Sequence, residues 1–199
     1  MNSPENLTPN TIAHLTDAAF WVQFRNSAAE VESRLLLLRD QIGQNVQIRE
    51  GIFAQPGRIT RGQNYHGFPY RVLDHPAYFE SGGFILFRTI LIWGHHVSFH
   101  LIAHGEWKNI LQQRLASLPD SLKPWLFSMD NNPWEWFPAE SGAIAFNALT
   151  DRQLSDRLQA ADFIKFSRYH SIENGLNLVD SGHQYWRLWA PWVAGTDES

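Results

Sequence analysis

FILFRTILIWGHHVSFHLIAH, residues Phe84 to His104, is the stretch that decides how this chain reads. Two apolar runs of strand length flank Gly94-His95. A two-residue loop that begins with glycine predicts a type II′ hairpin turn, because glycine takes the positive φ that the turn requires. In that register Trp93 faces His96. One face then carries Phe84, Leu86, Ile90, Val97, Phe99 and Leu101, with Arg88 opposite Leu101 as its only charge. The other carries Phe87, Thr89, Trp93, His96, Ser98 and His100. The first reads as core, and the second as a surface half apolar and half polar.

Outward from the hairpin, Thr8-Pro9 predicts the start of a helix to about Phe24, with threonine as cap and proline at the first helical position. Ser27-Ala28-Ala29-Glu30 has the form of a capping box, so a second helix is expected over 28–42, carrying Val31, Leu35, Leu38 and Ile42 and closed by Gly43. Alternation from Val46 to Ile52 predicts a strand, Arg58 to Gly67 a loop, and Phe68 to Asp74 a further strand that His75-Pro76 ends. Glu106 to Leu118 has helical spacing. Residues 119–142, rich in proline and aromatics, predict a long ordered loop, and such loops usually have a role. A short strand is expected over 143–148. Thr150-Asp151-Arg152-Gln153 is a second capping box, with its helix expected to reach about Tyr169. Tyr185 to Trp192 reads as a last strand, and residues 1–7 and 194–199 as disordered tails. With its strands mostly contiguous, the chain is expected to be one α+β domain, 1–199, with a mainly antiparallel sheet and helices largely on one face.

Composition narrows the function classes. The 199 residues include no cysteine, which excludes disulfides, thiolate catalysis and Cys-based metal sites. A net charge of −4 argues against electrostatic nucleic-acid binding. No apolar run approaches the roughly 18 residues needed to span a bilayer, and the N-terminus lacks the pattern of a secretory signal. A cytoplasmic, non-membrane protein is the expectation. Nine tryptophans and thirteen phenylalanines call for an aromatic core or an aromatic binding surface.

Four histidines fall between 95 and 104. On a strand, residues four apart lie roughly 13 Å from one another, so His96, His100 and His104 cannot share one ion. A metal would need ligands from elsewhere, such as His66, Asp74, His75 or Glu135; neither metal nor cofactor is expected. Arg88, if buried, demands a carboxylate or a ligand anion, or else a different register. Trp134-Glu135-Trp136-Phe137 joins flat aromatic surface to a carboxylate, a combination suited to stacking against a sugar ring or an aromatic ligand. Asp180-Ser181-Gly182-His183 has nucleophile-site residue types without the surrounding motif.

The leading expectation is a domain that binds a small apolar or aromatic ligand over the histidine face. Its ligand-binding residues would be Thr89, Trp93, His96 and His100, with Trp134, Glu135 and Trp136 as a lid. The runner-up is an enzyme using His96 or His100 as general base with Asp74 or Glu135 as partner. The third is an interaction module or homodimer built on exposed tryptophans.

Overall fold

The computed structural model describes residues 7–44 and 57–194. The strand expected over 46–52 and the ends of both tails lie outside the described residues. The fold is α+β. Seven strands form one antiparallel sheet: β1 (Arg58–Tyr65), β2 (Phe68–Glu80), β3 (Gly83–Ile92), β4 (His96–Gly105), β5 (Leu126–Phe127), β6 (Ile144–Ala145) and β7 (Phe163–Ser171). Their order is β1-β2-β3-β4-β7-β5-β6. The helices are α1 (Pro9–Thr16), α2 (Ala18–Gly43), α3 (Glu106–Arg114), α4 (Asp151–Ala160) and α5 (Leu178–Ala194).

The central hairpin exists, with its register one residue away from the expected one. Ile92 pairs with His96, and the loop is the three residues Trp93-Gly94-His95, closed by His95 N–H donating to Ile92 O at 3.1 Å. Because side chains alternate with period two, this slip exchanges the faces of β3 relative to β4. Val97, Phe99 and Leu101 now share a face with Leu91, Thr89 and Phe87. Arg88 pairs with His100. Thr89 and Trp93 consequently face away from the histidines. Trp93 packs on Phe24 of α2, ring centroids 5.6 Å apart, with the Arg71 guanidinium over it at 5.2 Å.

The main core lies between this first face and the layer of α2 and α5, joined by Leu111 of α3. Helix α5 buries Val179, Gly182, Trp186, Trp189 and Val193, a spacing of three and four that only a helix turns to one side. The strand expected at 185–192 is therefore wrong, and Pro191 sits inside the helix. A Cβ on Gly182 would lie 2.6 Å from a Leu38 methyl and 3.0 Å from the Phe99 ring, so glycine there lets α5 reach both α2 and the sheet.

Other boundaries shift for identifiable reasons. Asp17 accepts from Phe20 N–H at 2.9 Å and starts α2 ten residues before Ser27, which lies mid-helix and caps nothing. Arg58–Tyr65 is a strand because β2 offers its edge. A register shift between Asp74 and Ala77 lets β2 run past Pro76 to Glu80. The helix after Thr150 stops at Ala160, and 163–171 becomes β7, hydrogen-bonded to both β4 and β5. The capping box at Thr150 is present, with Thr150 Oγ1 accepting from Gln153 N–H at 3.2 Å and Gln153 Oε1 accepting from Thr150 N–H at 3.0 Å. Thr150→Ala is expected to cost about 1 kcal/mol, read as a lower urea midpoint at unchanged m-value; an unmoved midpoint would contradict it.

Candidate functional site

The second face of the sheet carries a different chemistry. One row crosses four strands: Asp74 on β2, Arg88 on β3, His100 on β4 and Ser167 on β7. Arg88 forks onto Asp74 with Nε–Oδ1 at 2.6 Å and Nη2–Oδ2 at 2.7 Å. His100 is fully buried between two hydroxyls, Ser167 Oγ at Nδ1 and Ser98 Oγ at Nε2, each at 2.8 Å. A neutral imidazole satisfies both, donating through one nitrogen and accepting at the other. Burial holds His100 well below its ordinary value, and Lys165, Arg88 and His96 push the same way. Burial also takes His96 down to about 4, helped by His95 and opposed by the Trp136 backbone.

Lys165, one row away beside Ile102, is 1 % exposed. Its Nζ donates to the backbone carbonyl of Glu135. Burial lowers the ammonium to about 7; Arg88 adds to that, and Glu135 and Asp130 oppose it.

The β5–β6 connection folds back over this row as a lid. Arg157 of α4 holds its first limb, donating from Nε to Ser128 O at 2.9 Å and from Nη2 to Asp130 O. Ser141 closes it, donating N–H to Phe137 O at 3.0 Å and accepting from Asp130 N–H at 3.1 Å. Trp136 comes down on the centre. Its ring lies 4.4 Å from Lys165 Nζ, 4.8 Å from Arg88 Cζ and 5.0 Å from the His100 ring. Trp134, its ring 6.0 Å from that of Trp136, also lies by Arg88 at 4.9 Å. Glu135 is turned outward, accepting from Tyr65 Oη at 2.6 Å and Phe137 N–H at 2.9 Å, with His66 Nε2 3.9 Å away. Burial would raise its carboxyl, but these hydrogen bonds win and hold it below the ordinary value.

Of the residues predicted from sequence, His96, His100, Trp134, Glu135 and Trp136 meet here, and Thr89 and Trp93 do not. Arg88, Asp74 and Lys165 belong to this face and lie outside the expected ligand-binding set, Asp74 being expected only as a metal ligand or as the partner of a general base. Arg88 carried a signal, as a charge stranded on an apolar face; Lys165 carried none, because β7 read as helix. Neither His96 nor His100 hydrogen-bonds Asp74 or Glu135 among the described residues, so the pairings expected of a general base are not formed. No cluster of three or more metal-ligating side chains occurs among the described residues. At one edge of this face Phe84 stacks on Trp134 at 5.7 Å and on His104 at 5.4 Å, and Phe79, 61 % exposed, lies against Phe84. A separate cleft of about 430 Å³ lies on the helix side, between α2 and the hairpin end, lined by Glu30, Val31, Arg34, Leu91 and Val97.

No family model, no curated protein and no solved structure matches the chain. No helix among the described residues is long and apolar enough to cross a membrane.

Proposed function

We propose that the chain binds a small planar ligand bearing an acidic group, on the second sheet face and beneath the 128–142 lid. The observation that carries this reading is Lys165, a lysine buried beside Arg88 whose hydrogen-bond partner is one backbone carbonyl. Asp74 is engaged by Arg88 and Glu135 by Tyr65 and the lid backbone, and the charges of Glu135 and Asp130 offset the burial of Lys165 only in part. A buried cation in such a setting is costly unless something anionic compensates it. The aromatic edge of Phe79, Phe84, His104 and Trp134 supplies flat surfaces, while Trp136 occupies the space a ligand ring would take once the lid lifts. Mostly apolar walls with a few convergent polar groups are the usual build of ligand sites.

The test compares indole-3-carboxylate, 2-naphthoate and quinaldate with their neutral amides by titration calorimetry. At least one acid is expected to bind saturably, tenfold or more tighter than its amide. Equal binding of acid and amide would remove the acidic group from the proposal. No binding by any of the six at millimolar concentration would overturn it.

A further inference from the structure

Helix α2 carries one apolar heptad pattern from end to end: Trp21, Phe24, Ala28, Val31, Leu35, Leu38 and Ile42. From Ala28 onward these side chains pack on the core. The first heptad does not. Residues 7–23 are all exposed, and Phe24 is half-buried against Trp93. Trp21 is 47 % exposed, and Leu7, Ile12, Leu15, Phe20 and Val22 are as open or more so. The segment is nonetheless well built. Thr8 caps α1 by accepting from Thr11 N–H at 3.1 Å, Asp17 caps α2, and Trp21 Nε1–H donates to His14 O at 3.1 Å across the elbow between them. A formed helical arm therefore holds an apolar stripe beyond the body of the chain.

The stripe is self-complementary. Asp17, Trp21 and Arg25 follow one another at intervals of four, along one side of the helix. Both charged residues are exposed, and Arg25 forms no ion pair among the described residues. Two such helices set antiparallel about a two-fold axis at Trp21 place Asp17 of each against Arg25 of the other, with the tryptophans meeting at the centre. Phe20 and Trp21 of α2 and Ile12 and Leu15 of α1 each leave about half their surface in water, on the order of 400 Å² per arm and 800 Å² for a symmetric pair, the size of a weak, concentration-dependent interface. A two-fold contact is also the commonest way in which one patch covers itself. We propose that this arm, α1 with the first two turns of α2, docks antiparallel on the arm of a second copy of the chain.

Sedimentation equilibrium of the full chain is expected to show a monomer–dimer equilibrium. Trp21→Glu should raise the dimer dissociation constant at least a hundredfold and Arg25→Glu about tenfold; because Trp21 also bonds His14 across the elbow, Arg25→Glu, whose side chain forms no ion pair among the described residues, is the control variant, and its circular dichroism should match the parent's. The chain has no cysteine, so Trp21→Cys adds one thiol, placed at the axis; mild oxidation should link it into a dimer, whereas Gln23→Cys, on the other side of the helix, should stay monomeric. A parent that is monomeric up to 100 μM overturns the proposal, including one that instead co-sediments with phosphatidylcholine vesicles. A dimer that survives Trp21→Glu, or equal crosslinking at 21 and 23, overturns it as well.

Discussion

On acidification from pH 7.5 to pH 5 the protein is expected to lose at least on the order of 4 kcal/mol of stability, a large share of what a domain normally has. The cause is three buried histidines. Burial takes His75 down to about 4, with Arg39 adding to the effect and Asp40 opposing it, takes His96 to about 4, and keeps His100 low as well. As the pH falls through 6.5 the unfolded chain takes up a proton at each position, whereas in the folded chain His75 and His96 refuse theirs until about 4 and buried His100 refuses its own as well. Stability from these groups is thus complete above about pH 7 and is lost as the pH drops from 6.5 towards 4. At pH 5 His75 and His96 each contribute a loss of about 2 kcal/mol, and His100 adds to it in the same direction. Urea unfolding at pH 7.5 and pH 5.0 measures the difference. Equal midpoints at the two pH values would show that the three imidazoles charge freely in the folded state.

Why the central strands were legible only in part follows from the same residues. Strand β3 is apolar at nearly every position, so Phe84, Leu86 and Ile90 can serve as core as well as Ile85, Phe87 and Leu91. Its alternation therefore cannot choose a register. Strand β4 alternates clearly, and the turn had to supply the rest; Gly94 suits the second position of a three-residue loop as well as the first of a two-residue one. Arg88 was the informative residue. Placed opposite Leu101 it lacked a partner, and moving the register by one set it between Asp74 and His100. The α+β class, the hairpin and the Thr150 cap were readable from sequence pattern. β7 and α5 were not, because both stretches are aromatic-rich, and whether an aromatic run becomes strand or helix depends on the neighbour it packs against. In β7 that neighbour is the free edge of β4, some sixty residues earlier in the chain.

Replacing Lys165 with methionine is expected to stabilise the fold while abolishing acid-selective binding, and the two effects together separate a functional lysine from a structural one. At neutral pH the buried ammonium is a burden. Its value falls from 10.5 to about 7, so the stability it forfeits is intact above pH 10.5 and is lost as the pH falls towards 7. That forfeit is several kcal/mol at most, and the lost hydrogen bond to the Glu135 carbonyl returns about 1 kcal/mol of it. Methionine fills similar space under Trp136 without a charge. Lys165→Met should therefore be more stable than the parent by about 2 kcal/mol at pH 7, and the difference should vanish by pH 10, because only the parent gains stability over that range. In the same variant the preference for a planar acid over its amide should collapse to less than twofold, since the amine that an acid would hold protonated is gone. A residue kept for the fold would behave in the opposite way: its loss would lower the urea midpoint at every pH and leave ligand preference where it was. Residues retained at a cost to stability are those expected at sites shaped by binding. A destabilised Lys165→Met protein that still prefers the acid would remove Lys165 from the site and leave Arg88 as the only candidate for the anion.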